Sequence, residues 1–185
     1  GKHVMFDRCT IVGSLNFKDA DSSSVRNCTI RGTNFTVGRG ITGAGLADAD
    51  TLDGCTFTGL NASGGFGMAF GDNAEPDRGS PSDSCRYFVQ RFNVFNISQS
   101  GPSAWTPSKH FQTPNFTSYH NKYTITNTAT GVGNNEGDFG VLFRDNCYNG
   151  VMRGDTILLN DEGASFSSYG LMWSPGLAAS NSSNQ

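Results

Sequence analysis

The chain of 185 residues carries 13 basic and 16 acidic side chains for a net charge of −3, and no run of Lys or Arg could neutralise a phosphate backbone, so no nucleic-acid partner is expected. No apolar stretch approaches the roughly 20 residues that cross a bilayer, and membrane insertion is not expected either. The 24 glycines and a hydrophobic content of 36% argue against long helices and suit many short strands joined by turns, within a single domain spanning 1–185.

In chain order, the first element is Phe6-x-x-Cys9-Thr10-Ile11-x-Gly13, and it recurs as Val25-x-x-Cys28-Thr29-Ile30-x-Gly32 and Leu52-x-x-Cys55-Thr56-Phe57-x-Gly59. Looser copies follow in Val89-x-x-Phe92-Asn93-Val94, Tyr123-Thr124-Ile125 and Met152-x-x-Asp155-Thr156-Ile157. The residue at the Cys position and the one two later are mostly apolar, with Thr or Asn between them, which is the alternation of a strand with one face inward. A second element, Phe66 to Phe70, Phe139 to Phe143 and Tyr169 to Trp173, follows the third, fifth and sixth copies.

Two strands recurring in fixed order predict an all-β solenoid, a parallel β-helix of about six rungs in which equivalent residues stack. Steps between anchor residues 9, 28, 55, 92, 123 and 155 run 19, 27, 37, 31 and 32 residues. The longer steps predict inserted edge loops, at Gly71 to Ser84 and Gln99 to Ser118, where binding faces are usually built. The chain opens almost directly on Val4-Met5-Phe6 with no polar cap, which leads us to expect a fragment of a longer chain or a protomer with covered ends.

The five cysteines are odd in number and lack CxxC or His partners at zinc spacing, so no metal and no cofactor are expected. Cys9, Cys28 and Cys55 fall in one inward slot and read as a buried stack, while Asp7, Arg26 and Asp53 share an outward slot as a ladder of alternating charge. His3, His110 and His120 stand apart from one another. Asp48, Asp50 and Asp53 read as a solvated turn rather than a calcium loop, lacking its glycine and distal glutamate.

Asp72-Asn73 and Asp145-Asn146 follow the second element at one offset, two rungs apart, and stacking would separate their carboxylates by roughly 10 Å, close to the spacing that admits a water in an inverting glycosidase. The same dipeptide is ordinary turn chemistry, and both readings stand. Glu75 lies beside Asp72, and Glu136 and Asp138 precede the second element of the fifth rung, so a carboxylate-lined groove is expected on this edge. The Gln99 to Ser118 region and its flank bring Trp105, Phe111, Phe116 and Tyr119 among prolines, aromatics suited to stacking on sugar rings, to anchoring a subunit, or to packing back on the coil.

The [Phe/Val/Leu]-x-x-Cys-Thr-[Ile/Phe]-x-Gly copies resemble the coil repeat of the pectate-lyase-like right-handed parallel β-helix superfamily, from about Val4 to Trp173. Within it the chain looks most like a phage tailspike or receptor-binding protein. That resemblance implies a homotrimer in the extracellular virion tail, contacting other virion tail proteins and recognising host surface polysaccharide. Members of that group often cleave the glycan, so an enzymatic chain would be an endo-acting glycoside hydrolase, a polysaccharide depolymerase, with Asp72 and Asp145 as the matching catalytic carboxylates; neighbouring Glu75 joins them, and Trp105, Tyr119, Phe111, Glu136 and Asp138 are the expected substrate-binding residues. A secreted polysaccharide hydrolase or lyase and a structural shaft segment are the alternatives. The base and calcium-binding aspartates of superfamily lyases have no counterpart in the repeat.

Overall fold

The structure, a computed structural model, describes residues 3–13, 15–17, 22–32, 35–37, 49–61, 68–70, 85–99, 108–111, 113–127, 138–144, 147–161 and 168–174. Among them are strands and turns and no helix. The chain runs through β1 (Met5–Asp7), β2 (Thr10–Val12) and β3 (Leu15–Phe17), then repeats the trio as β4 (Ser24–Arg26), β5 (Thr29–Arg31) and β6 (Phe35–Val37). Next come β7 (Thr51–Asp53), β8 (Thr56–Asn61) and β9 (Met68–Phe70), followed by β10 (Val89–Arg91), β11 (Val94–Gln99) and β12 (Ser108–Phe111). The last two trios are β13 (Thr117–Tyr119), β14 (Lys122–Asn127) and β15 (Asp138–Arg144), then β16 (Val151–Arg153), β17 (Thr156–Asp161) and β18 (Ser168–Ser174).

First members of the trios pair side by side in one six-stranded sheet, second members in another and third members in another. Successive strands in each sheet are parallel, as in the Phe6↔Val25, Ile11↔Ile30 and Leu15↔Phe35 pairs. An all-β stack of parallel strands visited in constant order is the arrangement of a β-helix solenoid, in which each strand edge is satisfied by the strand one trio away.

One residue makes the corner between the first and second sheets. Arg8, Asn27, Gly54, Phe92, His120 and Gly154 occupy equivalent places there, all left-handed, with φ of 55°, 53°, 63°, 55°, 50° and 70°. The N–H of each of the first five donates to the carbonyl of the residue just before the next trio's corner, from Arg8 to Arg26 at 3.0 Å through His120 to Arg153 at 3.0 Å. Reversing the sign of φ at a single residue turns the chain sharply while the hydrogen-bond ladder continues through the corner.

Inside, equivalent residues form columns. Ile11, Ile30, Phe57, Phe95, Tyr123 and Ile157 are successive partners in the second sheet. The Phe57 and Phe95 rings stack at 5.0 Å and those of Phe95 and Tyr123 at 4.9 Å. The first sheet sends in Phe6, Val25, Leu52, Gln90, Ser118 and Met152. Gln90 and Ser118 are fully buried, and Gln90 Nε2 donates to Ser118 Oγ at 3.0 Å and to the Tyr123 hydroxyl at 2.6 Å. A buried polar pair is tolerable here because each partner is supplied from the adjacent trio.

The cysteine slot continues as asparagine. Cys9, Cys28 and Cys55 precede β2, β5 and β8, and the equivalent residues before β11, β14 and β17 are Asn93, Asn121 and Asp155. Cys9 N–H donates to Cys28 Sγ at 3.3 Å, and the Cys28 thiol donates to Arg26 O at 3.1 Å. Further along, Cys55 N–H donates to Asn93 Oδ1 at 2.8 Å, Asn93 N–H to Asn121 Oδ1 at 3.0 Å and Asn121 N–H to Asp155 Oδ1 at 2.6 Å. The amides also donate backward, Asn93 Nδ2 to Leu52 O at 3.0 Å and Asn121 Nδ2 to Gln90 O at 3.1 Å.

Three expectations are corrected by this arrangement. The repeat anchors in the fourth and fifth trios are Asn93 and Asn121, not Phe92 and Tyr123: Val89 pairs with Thr51 and Gln90 with Leu52, so the expected alignment slipped by one residue at Phe92. A slip of one exchanges the two faces, and Phe92 is accordingly 54% exposed while Asn93 is buried. Second, Gln99 to Ser118 is not one inserted loop. Phe111 ends β12, Phe116 is a core residue and Tyr119 ends β13, because the apolar surface of Phe116 is stacked on Phe143 at 4.7 Å rather than held out on a loop. Third, Asp50 is no solvated turn residue: it is buried, and its Oδ1 accepts the Ser23 N–H at 2.6 Å.

Candidate functional site

Outward residues escape the packing that selects the columns, so chemistry is free to collect there. The third residue of each first-sheet strand faces out, giving the slot Asp7, Arg26, Asp53, Arg91, Tyr119 and Arg153 through direct pairing. The expected ladder of Asp7, Arg26 and Asp53 is thus present and continues further. Arg91 places Nε at 3.0 Å and Nη2 at 2.7 Å from Asp53 Oδ2, and this pairing raises the Arg91 pKa above its ordinary value. Arg91 is exposed and Asp53 half-buried, and a pair at the surface contributes little to stability, on the order of 0.2–1 kcal/mol.

Above Arg91 the slot changes character. Tyr119 is half-buried, and the Arg153 guanidinium lies 5.9 Å from its ring centroid, at the outer range of a cation–π contact. The next residue in each case is the left-handed corner residue, so His120 stands beside Tyr119, edge to face at 4.7 Å. Phe92, one trio earlier, stacks on His120 at 5.7 Å with planes 9° apart. A strip of three rings is thereby framed by Arg91 on one side and Arg153 on the other.

Glycine occupies this corner at Gly54 and Gly154, where the left-handed conformation is cheapest. Phe92 adopts it at a cost of about 1–2 kcal/mol, and its ring is nevertheless turned to solvent. Arg8, Asn27 and His120 accept the same conformation, and what sets Phe92 apart is a large apolar ring left 54% exposed. Gly154 makes the strip possible from beneath, because a Cβ there would run into the His120 imidazole.

Of the residues nominated from sequence, Tyr119 belongs to this strip. Phe111 lies at the end of β12 and Asp138 at the start of β15, both in the third sheet, away from the first-sheet strand that carries Tyr119. Asp72, Asp145, Glu75, Glu136 and Trp105 lie outside the described residues. The strands that precede the two aspartates are in register, Phe70 and Phe143 both pairing with His110. Arg91, Phe92, His120 and Arg153 were missed, although extending the Asp7, Arg26 and Asp53 slot in the correct register leads straight to them. Among the described residues, no three His, Cys, Asp or Glu side chains converge as a metal site.

No family model, no curated protein and no solved structure matches the chain.

Proposed function

We propose that the chain is a right-handed parallel β-helix of the tailspike type, an adhesin that binds bacterial surface polysaccharide along its flank. Right-handedness follows the general rule for parallel crossover connections, and six trios make six coils. The observation that carries the binding reading is the exposed Phe92 and His120 ring pair beside Tyr119 and Arg153, rings and guanidinium held on a sheet corner. Flat apolar faces next to fixed donors suit a sugar, whose C–H face stacks while its hydroxyls hydrogen-bond.

The test exploits the strain at Phe92. Asn tolerates the left-handed region, so Phe92→Asn should leave thermal stability unchanged or raised while removing a ring from the strip. Binding of the purified full chain to a panel of bacterial capsules and O-antigens should fall by about tenfold or more. Unchanged binding by this folded variant, or no glycan bound by the parent, would reject the reading.

Hydrolysis by Asp72, Asp145 and Glu75 is part of the same proposal, supported by the equal offset of the two aspartates from paired strands. Chain shortening of a bound glycan that persists in Asp72→Asn and Asp145→Asn would remove that assignment. The proposed assembly is a homotrimer, and light scattering that returns a monomer would remove it.

A further inference from the structure

The outward slot is not neutral where the rings sit. From Asp53 through Arg91 and Tyr119 to Arg153, one carboxylate faces two guanidiniums. Asp53 is engaged by Arg91 through Oδ2, so among the described residues the slot holds no carboxylate free to pair with Arg153. Arg153 is exposed, and among the described residues it has no carboxylate partner; its one contact is the Tyr119 ring at 5.9 Å. Lys122, exposed two residues beyond His120 at the start of β14, adds a second positive charge on the far side of the corner. The chain as a whole carries −3, so this local excess of positive charge runs against the global balance.

A guanidinium set against a ring keeps its in-plane N–H donors free, and those donors match a carboxylate two at a time. We infer that the strip recognises an acidic polysaccharide: the carboxylate of a uronic- or sialic-type sugar docks on Arg153, and the Phe92 and His120 rings support the adjoining sugar. This names the ligand class of the site and rests on the glycan-binding reading above. Lys122 contributes attraction at longer range, so association weakens with salt.

The probes are polysialic acid, hyaluronan and an oligogalacturonate, each beside its carboxyl-reduced form, titrated calorimetrically into the full chain at low and physiological salt. At least one acidic glycan should bind ten-fold or more tighter than its reduced counterpart. Arg153→Gln should abolish that preference, and Arg153→Lys should restore only part of it, since it returns charge without the two-pronged donor. Arg153 is exposed, so both variants should melt with the parent, which keeps the comparison interpretable. Equal binding of acidic and reduced forms, or a preference that survives Arg153→Gln, overturns the inference while leaving glycan binding standing. Binding confined to phosphate-substituted glycans also overturns it. Failure of every glycan, charged or neutral, overturns the reading beneath it.

Discussion

Replacing Asn121 by leucine probes the interior ladder at its most connected point while keeping the side chain branched at Cγ. The two hydrogens of Asn121 Nδ2 have three acceptors within reach, Gln90 O at 3.1 Å, Ser118 Oγ at 3.0 Å and Asp155 Oδ1 at 2.8 Å, and its Oδ1 accepts the Asn93 N–H at 3.0 Å and Asn93 Nδ2 at 2.9 Å. Several partners survive its loss: Asn93 Nδ2 keeps Leu52 O, Ser118 Oγ keeps Gln90 Nε2, and Asp155 Oδ1 keeps the Asn121 N–H. The Asn93 N–H does not, and orphaning it costs about 1–3 kcal/mol, while losing the bond to the Asp155 carboxyl adds about 1.5–3 kcal/mol. A total of roughly 3–5 kcal/mol corresponds to a fall in Tm on the order of 10 °C for a chain of this size. Urea unfolding followed by circular dichroism, with the outward Thr124→Ala as control, measures it. A loss under about 1 kcal/mol, matching the control, would refute the claim that these amides are closed off from water and satisfied by one another.

Asp155 ends the ladder in an asparagine slot, with a buried Oδ2 that has no partner among the described residues, where Asn93 and Asn121 each place a donor on the backbone of the preceding trio. Asp155→Asn should therefore stabilise by about 0.5–1.5 kcal/mol in the same assay, and a loss of stability would show that the carboxyl is better satisfied than its geometry indicates. Gly150→Ala should destabilise by about 1–3 kcal/mol, because a Cβ there would overlap the Phe116 ring that stacks on Phe143; an unchanged urea midpoint would mean that the ring moves aside freely. Burial pushes the Cys55 thiol up to about 11 from an ordinary 9.0, so its thiolate is disfavoured in the fold. The resulting stability is fully present below pH about 9 and is lost as pH rises toward about 11, since only the unfolded chain releases that proton readily across the interval. Peptide mapping after thiol labelling at pH 8 should find half-exposed Cys9 modified well before Cys55; equal rates would contradict the burial.

How much was legible in the sequence depended on whether inward meant apolar. Around Cys9, Cys28 and Cys55 it does, and there both the stacking slot and the outward Asp7, Arg26 and Asp53 ladder were readable from spacing. At the fourth trio the inward residues become Gln90 and Asn93, whose amide nitrogens are met by Ser118, Tyr123 and Asn121 across the stack. A pattern rule looking for apolar residues seized on Val89 and Phe92 instead and shifted the alignment by one. The third-sheet strands at Leu15–Phe17, Phe35–Val37 and Ser108–Phe111 were passed over for a different reason. Three or four residues hold too little alternation to be seen without the neighbours they pair with.

The site was harder to read than the fold because the two faces of a strand answer to different neighbours. An inward residue is constrained from both sides of its column, which is why Phe57, Phe95 and Tyr123 keep aromatic rings in succession. An outward residue meets only the side chains beside it in its slot and water, so Asp53, Arg91, Tyr119 and Arg153 succeed one another with little cost to the coil beneath. Freedom of that kind erases periodic signal, and what remains legible is any position where the chain accepts strain that the coil does not require. Phe92 is such a position: Gly54 and Gly154 show that the corner forms without a side chain, yet a large apolar ring stands there 54% exposed, stacked on His120 at 5.7 Å.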